Sequence, residues 1–261
     1  MNKKIVMALT CIFILCVGAS NISGSNENIN VQKYNGKSFP DIIGKDIDPF
    51  FIGLGDLPGA TNFSWAWDVT QDGSAATGYS RSAVALDNEA FIWTEENGLE
   101  GLGVLGKEDV ESRGYGISND GTTIVGWTDM EPFWTGGQAF RWTEETGMVG
   151  IGFLDNMTQP PSDFGSWAWD ISKDGHVIVG YSPNSQWEKA EAFRWTEDEG
   201  MIGLGHLAGG ESDPFSEAMG TNIGGSVIVG TSWDGEFLGK NKAFYWTEDG
   251  TCGTVCNGRA V

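Results

Sequence analysis

An all-β fold of the β-propeller type is what this chain predicts, and three observations predict it. The pattern Ala-Phe-x-Trp-Thr occurs four times, at residues 90–94, 139–143, 192–196 and 243–247. Its tryptophans, Trp93, Trp142, Trp195 and Trp246, recur about every 50 residues, which is the length of one propeller blade and longer than most helical solenoid repeats. Glycines cut each copy into four short pieces, and helical spacing of apolar residues is sustained nowhere beyond the first nineteen residues. At 261 residues the chain is long enough for one all-β domain without requiring a second.

The elements follow in order. Residues 1–19 read as a secretory signal: Lys3 and Lys4 charge the start, Ile5 to Val17 is apolar, and Val17-Gly18-Ala19 offers a small-residue cleavage site. That apolar run falls short of the roughly 20 residues needed to span a bilayer. An uncleaved anchor is the alternative, and lipid attachment at Cys16 is disfavoured by Leu15 before it. Export to the medium or the cell envelope is therefore expected, with no transmembrane segment once the signal is removed. Residues 20–52 form an N-terminal segment available to supply a closing strand, residues 53–250 hold the four repeats, and 251–261 is a tail.

Each copy opens with Gly-x-Gly-x-Leu, at 53–57, 101–105, 150–154 and 203–207, read here as a first strand. The second piece runs into a turn such as Asp120-Gly121 or Asp174-Gly175, whose positive φ suits a tight hairpin. A β-branched third piece follows, as in Thr123-Ile124-Val125-Gly126 and Val177-Ile178-Val179-Gly180. In the final Ala-Phe-x-Trp-Thr piece, period two places Phe and Trp on one face and Arg141, Arg194 or Tyr245 on the other. Four antiparallel strands per copy, repeated radially, build a propeller. A closed four-bladed ring is favoured because closure hides the sheet edges, and a partial or open propeller is the alternative.

Charge narrows the partners. The net charge of −21 deepens when Lys3 and Lys4 leave with the signal, so nucleic acid and anionic lipid are excluded as natural partners. Solubility outside the cell is the simplest use for that acidity. Of four cysteines, Cys11 and Cys16 lie in the signal; Cys252 and Cys256 remain as a disulfide candidate closing a C-x3-C loop. Two cysteines without nearby histidines make a poor zinc site.

Several patterns imitate catalytic chemistry. Gly101-Leu102-Gly103-Val104-Leu105-Gly106 matches a dinucleotide-binding motif, yet no helix follows and the other copies replace the third glycine by Pro58, Asp155 or Ala208. His176 and His206 stand where other copies carry unrelated residues, which argues against a nucleophile–base pair. Asp72, Asp120 and Asp174 read as turn formers. No cofactor is called for; calcium held by such turn carboxylates is the minor alternative, since no EF-hand loop is present. Carboxylates are too numerous for sequence to select a pair suited to glycoside hydrolysis.

The copy Ala139-Phe140-Arg141-Trp142-Thr143-Glu144-Glu145-Thr146-Gly147-Met148-Val149-Gly150-Ile151-Gly152 resembles the HAF repeats of predicted extracellular bacterial proteins. The resemblance covers about residues 53–250 through four linked copies. The histidine that names the family is replaced by Glu89, Gln138, Glu191 and Lys242. The resemblance implies export and a repeat fold, and it brings no reaction or ligand with it.

Two groups of aromatic residues are candidate binding residues. Ser64-Trp65-Ala66-Trp67-Asp68 and Ser166-Trp167-Ala168-Trp169-Asp170 place each tryptophan pair on one strand face, either to pack between blades or to form a stacking platform for a sugar. The second group, Phe133, Trp134, Trp187 and Trp233, lies in connections that vary between copies, and function usually sits on loops held by a rigid scaffold. The favoured reading is an exported binding or interaction module, more binder than enzyme, for a polysaccharide or a surface protein. A secreted carbohydrate-active hydrolase or lyase competes with it, as does a structural part of an envelope or matrix.

Overall fold

A computed structural model describes residues 33–34, 37–38, 51–59, 61–85, 87–106, 111–129, 136–158, 165–185, 190–207, 215–233 and 241–248. It contains two compact units, residues 1–54 with 71–73, and residues 55–70 with 74–261. In the first, β1 (Lys33–Tyr34) and β2 (Lys37–Ser38) pair antiparallel with each other, Lys33 opposite Ser38.

The second unit is built of four antiparallel meanders. Blade one comprises β3 (Ser64–Val69), β4 (Ala75–Arg81), β5 (Asn88–Thr94) and β6 (Gly98–Gly101). Blade two has β7 (Ser112–Ile117), β8 (Thr123–Thr128), β9 (Gln138–Thr143) and β10 (Gly147–Gly152). Blade three repeats the order with β11 (Trp167–Ile171), β12 (Ile178–Pro183), β13 (Ala190–Thr196) and β14 (Gly200–Gly203). Among the described residues blade four has three strands, β15 (Ser216–Thr221), β16 (Val227–Trp233) and β17 (Asn241–Thr247).

The blade frame differs from the expected one by one strand. Ala-Phe-x-Trp-Thr forms the third strand, and the short glycine-bounded strand after it is the outer fourth. Gly-x-Gly-x-Leu is therefore not a first strand: its leading residues end the fourth strand, through Gly152 in β10, and the rest connects to the next blade, while residues 53–57 form no strand. Its second glycine explains why: Gly55, Gly103, Gly152 and Gly205 have φ of 98°, 79°, 83° and 78°. A residue in that region turns the chain out of the sheet.

Phe and Ala in the repeated motif face opposite ways, and each fills a blade interface. Ala75, Ala90 and Leu102 pack with Ile117, Ile124 and Phe140 of blade two. Val125 and Ala139 of blade two then meet Ala168, Ile171, Ile178 and Phe193 of blade three. Val177, Val179 and Ala192 meet Ala218 and Ile228, with Phe244 and Trp246 against them. Fully burying a side chain of this size contributes about 1.5–3 kcal/mol. The recurring Phe and Trp are accordingly residues of blade construction.

The arc is open, so the alternative to the closed ring is the one adopted. Ala66 of β3 and Val229 and Ala243 of blade four are exposed, although the matching residues of inner blades are covered by a neighbour.

Candidate functional site

Each first strand carries the same irregularity. Register shifts fall between Ala66 and Asp68, Gly114 and Gly116, Ala168 and Asp170, and Ala218 and Gly220. A bulge bends a strand and re-aims its side chains. Here the re-aimed side chains are Asp68 and Asp170, which become clamps between blades. Asp68 accepts from its neighbour Val69 N at 2.8 Å and from Ile117 N of blade two at 3.0 Å. Asp170 accepts from Ile171 N at 2.8 Å and from Thr221 N of blade four at 2.9 Å. Lys173 Nζ reaches from blade three to Asp68, at 2.9 Å. Burial pushes the Asp170 carboxyl up to about 6, against the opposing pull of the Thr221 N–H and Lys173.

A second set of polar contacts seats the connectors. Ser112 Oγ accepts from Ala90 N at 2.9 Å and donates to Gly103 O at 2.6 Å. Ser166 does the same with Ala139 N and Gly152 O, and Ser216 with Ala192 N and Gly205 O. The glutamates just before the Ala-Phe pair of blades one and three also act here. Glu89 accepts from Gly103 N at 2.9 Å and Glu191 from Gly205 N at 2.9 Å. Their carboxylates lie where a Cβ on Gly101 or Gly203 would fall, so a side chain at either position would push the carboxylate off its connector.

On the bulged strands the tryptophans of the first candidate group meet. Trp65 and Trp67 stack with centroids 6.3 Å apart, and Trp67 meets Tyr115 of blade two edge-on at 5.2 Å. Tyr115 in turn touches Trp167 at 5.9 Å and Trp169 at 4.7 Å. Second strands extend the array, with Trp127 stacked on Trp167 at 4.7 Å and Tyr181 at 6.2 Å. One continuous aromatic surface thus crosses three blades, from exposed Trp65 and Trp67 (54% and 50%) to half-buried Trp167 and Trp169.

Charged groups punctuate the array. Arg113 takes the place that Trp65 and Trp167 hold in their blades; its guanidinium lies 5.2 Å from the Tyr79 ring centre and 5.7 Å from that of Trp127, and it pairs with Glu111 at 3.0 Å. Contacts of this kind contribute about 0.5–2 kcal/mol depending on desolvation. Trp169 Nε1 donates to Glu217 at 2.6 Å. Burial raises the Glu217 carboxyl, with the Trp169 hydrogen bond opposing, and burial likewise pushes Tyr115 up to about 12. Among the described residues, Arg113 Nε and Trp127 Nε1 are buried donors without a hydrogen-bond partner.

Of the second candidate group, Phe133, Trp134 and Trp187 lie outside the described residues, as do Cys252 and Cys256. Trp233 is half-buried against Phe215, with ring centres 5.9 Å apart, and among the described residues its ring contact is with Phe215 rather than with the array. Tyr115, Trp127, Tyr181, Arg113 and Glu217 are functional candidates that the sequence reading missed. Aligning the copies column by column would have found them: Tyr115 shares a position with Trp67 and Trp169, and Arg113 and Glu217 share one with Trp65 and Trp167. The turn aspartates behave as expected, with Asp120 accepting from Ser118 Oγ at 2.6 Å and from Thr122 N at 3.0 Å. Among the described residues no helix is long and apolar enough to cross a membrane.

No protein-family model and no curated protein matches the chain. Among solved structures it is similar to a putative TolB from Agrobacterium tumefaciens, at 12% identity over 69% of this chain and 60% of that one, with a TM-score of 0.43. It is also similar to a prolyl endopeptidase, at 12% identity over 72% of this chain and 27% of that one, TM-score 0.43. A third likeness is to Kuenenia stuttgartiensis hydrazine synthase, at 13% identity over 63% of this chain and 42% of that one, TM-score 0.32. The chain thus spans between about a quarter and three fifths of these proteins. Its own strand order, register and interblade cores make the second unit an all-β assembly of four propeller-type blades in an open arc.

Proposed function

We propose that this protein is an exported binding module whose ligand is a neutral polysaccharide, stacked on the aromatic array of the first strands. The observation that carries the reading is the continuity of that array, which offers exposed indole faces at Trp65 and Trp67 and further rings at Tyr115, Trp167 and Trp169. Apolar C–H faces of a sugar suit such rings, and Glu217 and Arg113 supply polar groups that fix orientation. A net charge of −21 repels acidic glycans, which favours uncharged ones. The aspartates of the bulged strands are already engaged as interblade clamps, so binding is preferred to hydrolysis. Export and membership of a HAF-like repeat group belong to the same reading, and no cofactor is needed for it.

Titration of neutral polysaccharides followed by tryptophan fluorescence tests the proposal. Trp65→Ala and Trp167→Ala should each weaken binding at least tenfold, a loss of about 1.4 kcal/mol. Trp233→Ala, whose ring contact is with Phe215 and not with the array, should leave affinity unchanged. Wild-type affinity in both array variants would overturn the assignment, as would release of reducing ends during incubation.

A further inference from the structure

The two ends of the arc carry complementary halves of one blade interface. At the front end Ser64 is exposed, whereas Ser112, Ser166 and Ser216 at the same position are buried. Ala66 is exposed where Ala168 and Ala218 are fully buried. At the back end Val229 is 46% exposed, while Thr77, Val125 and Val179 at its position are at 0%. Ala243 is exposed, while Ala90, Ala139 and Ala192 are likewise at 0%. The hydrogen bonding is complementary as well. In all three internal joints the alanine N–H of one blade donates to the serine Oγ of the next, at 2.9 Å each time. Ser64 Oγ keeps its donation to the connector carbonyl of Gly55, at 2.8 Å, and among the described residues no preceding blade supplies the alanine donor. Ala243 follows the same motif, and among the described residues none supplies its serine.

We infer that the back face of one copy, at Val229 and Ala243, receives the front face of a second copy, at Ser64 and Ala66, and that two chains close into one ring of eight blades. The occupant is a second copy because each end matches the other end of this same chain in shape, burial and hydrogen-bond polarity. Interfaces that join two different patches generate closed rings where the rotation permits, and eight blades lie within the range known for propellers. The joint also continues the aromatic surface. Exposed Met219 occupies the position of Trp67, Tyr115 and Trp169, so the joint brings it to Trp65 and Trp67 of the second copy, as Trp67 meets Tyr115 within the chain. Thioether–aromatic contacts of this kind are favourable. The joint covers part of Trp65 and Trp67, leaving them half-buried as Trp167 and Trp169 are, so it shares those rings with the polysaccharide proposal, but oligomeric state gives it a readout of its own.

Native mass spectrometry and light scattering of the purified protein test it, with Ala66→Arg and Ala243→Arg made separately. Both sites are exposed in a single copy, so circular dichroism of each variant should match the parent, and each should still melt cooperatively, below the parent by the stability that the joint adds. The parent should be a dimer and each variant alone a monomer. Mixing the two variants should restore a dimer joined once, because one chain keeps an intact back face and the other an intact front face. Amide exchange gives a second readout, with protection of β3 and β17 in the parent lost in both variants. A monomeric parent, including one with both ends protected by its own segments, would overturn the inference. So would growth into open-ended oligomers, or a mixture that stays monomeric.

Discussion

Asp170 shows how a single residue can serve the fold at a cost. Both carboxylate oxygens accept backbone N–H groups, one of them from the next blade, yet burial raises the carboxyl from its ordinary 3.8 to about 6. The folded state therefore holds an extra proton between about pH 4 and pH 6, and stability from this group falls as pH rises through that window. Ionisation at neutral pH costs on the order of 3 kcal/mol relative to an unshifted aspartate. Asp170→Asn cannot ionise, so its melting temperature should change less than the parent's between those pH values, even if the lost acceptor lowers both ends of the range. Parallel melting curves against pH would show that the burial penalty has been assigned to the wrong group. Glu89 and Glu191 teach a related lesson, since the sequence assigns them no role and each accepts a backbone N–H that seats a connector.

At the scale of the element, the second strand of each blade depends on a glycine where strands cross most closely. A Cβ on Gly126 would fall on the carbonyl oxygen of Arg113 in the paired strand, and one on Gly180 would fall on that of Trp167. Neither contact can be relieved by rotating a side chain. Gly126→Ala should lose about 3 kcal/mol or more in urea denaturation, at or beyond the upper end of ordinary overpacking. Gly147 offers the contrast, for its surroundings are open and only its φ of 66° resists a side chain. Gly147→Ala should cost about 1–2 kcal/mol, the penalty for the left-handed region. Equal losses at the two positions would mean that close approach is not what the β8 glycine provides. The bulge in every first strand is the other elemental device, because without it the strand's alternation would not aim Asp68 and Asp170 at the adjoining blade.

For the whole molecule, charge and apolar ends act in opposite directions. Each chain carries −21, so two copies repel at long range while their blade faces attract at contact. Added salt shortens the Debye length to about 8 Å at physiological ionic strength and weakens the repulsion. The dimer fraction should therefore rise from low to physiological salt in sedimentation velocity experiments. A fraction that falls with salt would point to ion pairs as the main attraction across the joint. Much of this architecture was legible beforehand: the blade count, the all-β class and the Asp-Gly turns follow from local patterns. The blade frame was misplaced by one strand because Gly-x-Gly-x-Leu has the composition of a strand, and only the positive φ of its second glycine marks it as a connector.

The sequence by itself determined the repeat, its period, and which residues build blades, since these rest on period-two alternation and turn chemistry that act within a few residues. It also pointed to Trp65, Trp67, Trp167 and Trp169, because the two tryptophan-rich strands stand out from their sister copies. Only the tertiary structure decided that those four rings join Tyr115, Trp127 and Tyr181 in one surface, since these contacts cross blades. It likewise decided that the arc stays open. Closure depends on the angle through which each blade turns relative to the last, a sum of packing at Ala139, Ile171, Phe193 and their counterparts that no single strand encodes.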